Sequence, residues 1–301
     1  MGECDGVDDH GWLTDRFAEN QRQLHAVAYR MLGSASEADD ALQDAWLRAA
    51  RADPSGIGNP AAWLTTIVSR VCLNMLRSRE RRREDPLDAA AGGRTAPAED
   101  GGDPEREAVL ADSVGLALLV VLDTLAPAER VAFVLHDMFA VPFDEVGPLL
   151  ERSPAAARQL ASRARRRVEG VPAVPGEDLA RQRRVVEAYL AAAREGDFDA
   201  LLSLLDPDVV LRADAAVGPT PSPAVLHGAR AVSRGAFASA VRARFTAAAL
   251  VDGTAGLVMA RGGRAAVVLA FTVDAGGMIT AIDVIAEPAR LRALDLAVLD
   301  G

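Results

Sequence analysis

The sequence predicts a multidomain chain in which two all-helical segments precede an α+β segment. Three observations carry this. Apolar residues recur at helical spacing over about 12 to 84 and again over about 107 to 169. Beyond about residue 205 the spacing shortens to apolar or alternating runs punctuated by Gly and Asp, which is the pattern of strands. Two stretches between these segments, "PLDAAAGGRTAPAEDGGDPER" at 86–106 and "VPAVPGED" at 171–178, lack any period and have the Pro, Gly and acid content of linkers. The expected organisation is therefore a helical domain at 12–84, a flexible linker at 85–106, a second helical domain at 107–169, a short linker at 170–178 and an α+β domain at 179–300.

The elements follow in order. "FAENQRQLHAVAYRML" places Phe17, Leu24, Val27, Ala28, Met31 and Leu32 on one helical stripe, and Gly33 ends it. Ser36 is the expected N-cap of "EADDALQDAWLRAAR". Asn59 followed by Pro60 opens a third long helix, "PAAWLTTIVSRVCLNMLRSRERRR", as a cap with Pro at the first helical position. A helical run from Glu107 to Leu125 precedes "APAERVAFVLHDMF" and "PFDEVGPLLE". The turn "RSP" then joins the latter to "SPAAARQLASRARRRV", a spacing short enough for a helix-turn-helix. "LARQRRVVEAYLAAAREGDFDALLSLL" predicts two helices broken at Gly196, and "DVVLRAD", "FTAAALVDG", "TAGLVMARGG", "RAAVVLAFTVDAGG" and "MITAIDVIAE" predict strands.

Composition limits the function classes. With 301 residues and 50% hydrophobic content the chain can bury several cores and is not a disordered polypeptide. The formal net charge is -10, and all 33 basic residues are Arg, so arginine richness alone says little about phosphate binding. The two cysteines, Cys4 and Cys72, have neither zinc-site spacing nor a disulfide framework. The acidic N-terminus has no apolar stretch of the signal-peptide kind, and no apolar run reaches the roughly 20 residues that span a bilayer. A cytoplasmic protein is expected.

The most informative stretch is Ser153 to Val168. Ala157, Leu160, Ala161, Ala164 and Val168 share an apolar stripe, while Ser153, Arg158, Gln159, Ser162, Arg163, Arg165 and Arg166 belong to the polar side or the start of the helix. Such a helix packs one face on its predecessor and offers Arg and Gln to a major groove, where they read base edges or hold phosphate. The third helix ends in a second basic cluster, with Asn74, Arg77, Ser78, Arg79, Arg81 and Arg82. The second helix gathers Glu37, Asp39, Asp40 and Asp44 without a His or a glycine-rich loop beside them, which favours a protein-binding face over catalysis or metal binding.

These motifs together, "AYRMLGSASEADDALQDAWLRA", "NPAAWLTTIVSRVCLNMLRSRERR" and "LDTLAPAERVAFVLHDMFAVPFDEVGPLLERSPAAARQLASRARRRV", resemble the two conserved domains of the extracytoplasmic-function (ECF) sigma factors of bacterial RNA polymerase. The resemblance spans about 12 to 169. It implies a sigma-2 helical bundle, whose Asp39, Asp40, Gln43, Asp44 and Trp46 grip core polymerase. It implies that Asn59, Trp63, Arg70, Asn74, Arg77, Ser78, Arg79, Arg81 and Arg82 read the promoter's minus-ten element, the loop from Asp53 to Asn59 accepting an extruded base. It also implies a sigma-4 helix-turn-helix whose last helix reads the minus-thirty-five element.

Residues 179–300 resemble the SnoaL-like, NTF2-like extension of some of these factors, in which helices pack on a curved sheet to form a cone. Enzymatic relatives of that fold carry an Asp or His in the cone, and Asp214, His227 and Asp283 are the candidates by chemistry, although their context assembles no catalytic dyad. "EPARL", with Glu287, Pro288, Ala289, Arg290 and Leu291, resembles a regulatory Asn-Pro-Asp-Lys-Leu motif, but Glu replaces Asn and Ala-Arg replaces Asp-Lys. "LRADAAVGP" stands where that subgroup has an Asp followed by glycines, and the first linker lacks its Trp-Leu-Pro-Glu-Pro signature.

The expected function is promoter-specific initiation, with core RNA polymerase and promoter DNA as partners and the C-terminal domain modulating activity in cis. No catalytic residue, cofactor or metal is expected. A small-molecule ligand of the C-terminal domain stays open at this point. Two other readings also stay open, a stand-alone ligand-sensing helix-turn-helix regulator and a cyclase-like or hydrolase-like enzyme fused to a DNA-binding module.

Overall fold

A computed structural model describes residues 5–53, 56–84, 115–217, 222–238 and 243–299. The linker expected at 85–106 lies outside the described residues. The chain divides into two compact units, the first formed by residues up to 84 with 125–165, the second by 115–124 with 166–299.

In the first unit, α1 (Asp5–Leu32), α2 (Ala35–Ala49) and α3 (Pro60–Glu84) pack on one another. Their apolar stripes meet in a core where Leu24, Val27, Ala28, Met31, Ala38, Ala41 and Val68 are fully buried. Gly33 ends α1 with φ of 81°, its amide closing onto the Tyr29 carbonyl at 2.7 Å. The residue flanking α2 is Ser34 and not Ser36, because the helix begins at Ala35 and Ser36 already lies in its first turn. The Ser34 hydroxyl makes no capping bond to a backbone amide; it and the Ser36 hydroxyl instead hydrogen-bond each other at 2.9 Å. Asn59 does cap α3, its Oδ1 accepting from the Ala62 amide at 3.1 Å.

Helix α4 (Leu116–Thr124) belongs to the second unit; after it the first unit resumes with α5 (Pro127–Phe133), a π-helical turn (Val134–Met138), α6 (Phe143–Leu149) and most of α7 (Pro154–Glu169), whose residues from Arg166 on belong to the second unit. The stretch "APAERVAFVLHDMF" is thus not one regular helix, since the π turn inserts an extra residue and Ala140 follows with φ of 55°. The turn between α6 and α7 requires Gly147: a Cβ there would stand 2.9 Å from the Arg152 carbonyl oxygen and 3.0 Å from the Pro154 nitrogen.

In the second unit, α8 (Gly176–Glu195) stops at Gly196 in the left-handed region, and Asp197 caps α9 (Phe198–Leu204) by accepting from the Ala200 amide. Seven strands follow: β1 (Leu205–Ala213), β2 (Ala224–His227), β3 (Thr246–Val251), β4 (Thr254–Arg261), β5 (Arg264–Val273), β6 (Ile279–Ile285) and β7 (Leu296–Ala297). Helices α10 (Ala229–Ala238) and α11 (Pro288–Ala293) are interleaved. The sheet order is β2-β1-β6-β5-β4-β3-β7, with β1 and β6 parallel and the other pairs antiparallel. Two-residue turns with positive φ, Asp252-Gly253 and Gly262-Gly263, join β3 to β4 and β4 to β5.

One face of this sheet packs on α8, and the space between them is filled by side chains, including Val186, Leu201, Leu257, Ile279 and Ile282, with the Tyr189 and Phe271 rings edge to face at 5.2 Å. Burial pushes the Tyr189 hydroxyl up to about 12. Along β4 and β5 the alternating residues Val258 and Val268 are also buried, at 1% and 0% exposure, so the sheet is covered on both faces. Helix α4 supplies further cover, packing against β3, β4, β5 and β7 with Leu119, Val120, Val121 and Leu122 all buried. A helix apolar on every side needs such enclosure.

Candidate nucleic-acid and partner interfaces

On α2 the buried residues Ala38, Ala41, Leu42 and Ala45 turn the opposite face outward. Asp40, Gln43, Asp44 and Leu47 are exposed there at helical spacing. Asp39 is exposed too, with the His25 Nε2 3.3 Å away. Trp46 is only half exposed, its ring edge to face with Phe17 at 5.2 Å, so it braces α2 on α1 as well as bordering this face. Sequence reasoning missed Leu47, which is 47% exposed and follows Asp40 by two helical turns. An apolar side chain ringed by carboxylates is a composition suited to a partner protein and unsuited to DNA.

On α3, taking about 100° per residue, Trp63, Arg70, Asn74, Arg77 and Arg81 fall within about 40° of one line along the helix. Arg70, Asn74 and Arg81 are exposed and Trp63 and Arg77 half exposed, and Ser78 and Arg82 border the row at about 60° and 100°. Arg81 and Arg82 lie back along the helix, each Nε 3.4 Å from the carbonyl four residues earlier. Arg79 stands about 160° from the row and points inward. Its Nη1 donates to the Leu32 carbonyl at 3.1 Å, its Nη2 pairs with Glu37, and its side chain is 10% exposed. The structure therefore uses Arg79 to tie α3 to the end of α1 and the start of α2, and not as part of the outward face.

On α7 the buried stripe is Ala157, Ala161, Ala164 and Val168. Arg158, Gln159, Ser162, Arg165 and Arg166 are exposed within about 120° of one another, and Arg163 lies just beyond. Several are braced by the neighbouring helices. Arg163 Nε meets Glu129 Oε1 at 2.9 Å, Arg165 Nε meets Asp137 Oδ1 at 2.9 Å, and the Arg158 guanidinium sits 5.3 Å over the Phe143 ring. Ser153 caps α7, its Oγ accepting from the Ala156 amide at 3.2 Å. Gln159, Ser162 and Arg166 form the outward part of the face.

In the second unit the three candidate proton-transfer residues do not converge. Asp214 is 11% exposed; its Oδ2 accepts from the Ala286 and Glu287 amides, both at 3.0 Å, and its Oδ1 pairs with Arg290. Burial pushes this carboxyl up, but the two amides and the Arg290 charge outweigh it and hold the carboxyl below its ordinary range. Asp283 lies beside Arg212 across the β1–β6 pair at 4.0 Å. His227 lines an open cavity of about 530 Å³ with Arg230 and Arg234. Glu287 flanks the first turn of α11 and Pro288 begins it, so Asp214 anchors the start of the "EPARL" helix, where Pro288, Ala289 and Arg290 are exposed and Leu291 is half-buried. That long-range clamp has no signal in local sequence. Among the described residues no cluster of three or more His, Cys, Asp or Glu could hold a metal ion. Among them, too, no helix is long and apolar enough to cross a membrane.

Residues 16–82 match Sigma-70 region 2, and residues 115–168 match Sigma-70 region 4. The chain is 44% identical over 200 residues to the ECF RNA polymerase sigma factor SigJ of Mycobacterium tuberculosis, an overlap of 66% of this chain and 64% of that protein. It is 35% identical over 212 residues to the probable ECF RNA polymerase sigma factor SigI of the same organism, covering 70% of this chain and 73% of that protein. The crystal structure of Mycobacterium tuberculosis SigJ aligns with 92% of this chain and 97% of that one at 35% identity, with a TM-score of 0.45. The region 4 match begins at α4, the helix that packs on the sheet of the second unit.

Proposed function

Because the chain belongs to the ECF sigma factors of RNA polymerase, we propose that it directs initiation by docking α2 on core polymerase and presenting α3 and α7 to two promoter elements. Asp39, Asp40, Gln43, Asp44, Trp46 and Leu47 form the polymerase face. Trp63, Arg70, Asn74, Arg77, Arg81 and Arg82, with Asn59 and Ser78 at the margin, meet the minus-ten DNA. Gln159, Ser162 and Arg166 meet the minus-thirty-five bases and phosphates, and Arg158, Arg163 and Arg165 join them from their braced positions. The observation that carries this reading is the row on α3, because a single line of Trp, Asn and three Arg along an exposed helix suits single-stranded or melted DNA, with stacking and phosphate contacts combined. The reading assigns the protein binding work in the cytoplasm and no chemistry of its own.

The C-terminal unit acts in cis. Supporting this, α4, the first helix of the region 4 match, packs on β3, β4, β5 and β7, and the carbonyl of Val168 in α7, the last residue of that match, accepts from the Val298 amide at 2.8 Å. A stand-alone regulator would need no region 2 match, which is why that alternative is not favoured.

Run-off transcription with core polymerase from the promoter upstream of the gene tests the proposal. Promoter-dependent transcripts only when the protein is added are the expected result. Tight, sequence-specific binding by the free protein at physiological salt, with no polymerase-dependent transcription, would sink it. Divided at residues 95 and 175, the chain has three parts that are each net acidic, so free protein is expected to bind duplex weakly.

A further inference from the structure

In the second unit the space between α8 and the sheet is taken up by Val186, Tyr189, Leu257, Phe271 and Ile282, so a ligand finds its room elsewhere. The cavity of about 530 Å³ lies where α9, the start of β1, the end of β2 and the start of α10 come together. Gly228, with φ of 84°, turns the chain from β2 into α10, and its amide donates to the Val209 carbonyl at 2.8 Å. Helix α10 packs on both α9 and β1, which fixes the frame. The volume is that of a site for a small organic molecule, roughly 300 to 1,000 Å³.

The lining has two parts. Leu202, Leu205 and Ala231 make an apolar wall, Leu205 buried and the other two half-buried. His227, Arg230 and Arg234 make a polar one, and all three are exposed. Among the described residues that line the cavity none is acidic. Asp206 and Asp208 flank the lining residue Pro207, and the Asp206 Oδ1 is taken up by the Asp208 amide at 2.8 Å. Three other arginines on or beside the sheet meet a carboxylate: Arg212 lies near Asp283, Arg264 near Asp123 and Arg290 against Asp214. Arg230 and Arg234 meet none among the described residues. One turn apart on α10, they repel each other and work against the helix, a repulsion that an anion between them would relieve. The first amides of α10 have no acceptor within the helix and favour the same sign of ligand.

We infer that this cavity binds an organic phosphate monoester, its phosphate held by His227, Arg230 and Arg234 and its apolar body resting on Leu202, Leu205 and Ala231. Two guanidiniums suit a doubly charged group with three free oxygens, since each can donate in parallel to two of them. A carboxylate carries one charge and two oxygens, and would leave one guanidinium without a counter-charge. Inorganic phosphate would leave the apolar wall to water, so an ester with an apolar body is the better occupant. Nucleic acid is a poorer match, because among the described lining residues only His227 offers a ring on which an unstacked base could rest. The site lies within the second unit and does not depend on the reading of α3 and α7.

The test titrates the full-length protein with phenyl phosphate, inorganic phosphate, benzoate and phenol by isothermal calorimetry at neutral pH. Saturable one-to-one binding of phenyl phosphate is expected, with the other three probes at least about tenfold weaker. Arg230→Gln and Arg234→Gln should each weaken phenyl phosphate by about tenfold, the scale of one hydrogen bond between charged groups, and the double variant should abolish saturation. Both side chains are exposed, so these changes leave the packing of α10 intact, which circular dichroism checks. Leu202→Ala should weaken phenyl phosphate by about threefold and leave inorganic phosphate unchanged. No saturable binding by the wild type, or binding unchanged in the double variant, overturns the site. Inorganic phosphate binding as tightly as the ester overturns the apolar part of the assignment, and benzoate binding as tightly overturns the phosphate.

Discussion

Helices α3 and α7 both carry arginine clusters, yet their arginines are held in different ways. On α3 the division is by face: Arg79 is drawn inward to Glu37 and the Leu32 carbonyl, and the outward row meets no acid of its own scaffold in any contact described above. On α7 the arginines stay on the surface, but Glu129, Asp137 and the Phe143 ring steady three of them from neighbouring helices. The difference teaches that arginine count overstates nucleic-acid contact in both helices. Angular position identifies the structural arginine on α3, whereas on α7 only the neighbours reveal which side chains are already oriented. Pre-orientation lowers the entropy lost on binding, so α7 is built for defined geometry and α3 for adaptable contact.

The largest expected effect separates the two classes of arginine. Arg79→Ala leaves Glu37 without its cation and the Leu32 carbonyl without its donor, and should cost about 2 to 4 kcal/mol of stability in chemical denaturation. Arg81→Ala on the outward row should leave the unfolding midpoint unchanged, and a comparable loss there would break the comparison. Next, Gln159→Ala should cost about 1 to 3 kcal/mol of discrimination at one base position of the minus-thirty-five element, measured by competition among point-substituted promoters with holoenzyme. Arg163→Ala, losing a half-exposed pair, should alter stability by no more than about 1 kcal/mol.

A smaller effect tests the α3 row. Arg70→Ala and Arg77→Ala should each weaken holoenzyme binding evenly across promoter sequences and flatten the salt dependence by about one counterion. Unchanged slopes would mean that these side chains do not neutralise phosphate. The smallest effect lies outside both helices. Because the Asp214 carboxyl is held below its ordinary range in the folded chain, the stability it contributes is present above the unfolded carboxylate pKa and is lost as pH falls through the lowered folded value. Acidification below the ordinary carboxylate range should therefore loosen the start of α11, seen as faster amide exchange at Ala286 and Glu287. Asp214→Asn should show fast exchange at neutral pH and no further acid dependence there.

Much of the local structure was legible because its causes are local. The stripe of Leu24, Val27, Ala28 and Met31, the stop at Gly33, the cap at Asn59 and the break at Gly196 depend on side-chain period and backbone freedom within a few residues. The five longer strands were legible for the same reason. Strands β2 and β7, of four and two residues, are too short to show a period, and the π turn at 134–138 has no signal of its own in the apolar spacing. The inward turn of Arg79 was available from its angle to the row on α3, although its basic neighbours masked it. Leu47 could have been found the same way, as an apolar residue on the acidic face of α2.

By itself, then, the sequence determined the longer helices and strands, the family to which the paired helical domains belong, and most of the residues that α2, α3 and α7 turn outward. The tertiary structure decided the partners: Arg130 with the Met31 carbonyl, Asp214 with Arg290 and the Glu287 amide, and α4 with the sheet of the second unit. The physical reason is that periodicity specifies which side of an element must be covered, while the group that covers it comes from a distant part of the chain brought there by cooperative packing. A buried arginine or an all-apolar helix announces that it needs a partner, and only the folded chain shows which one meets it.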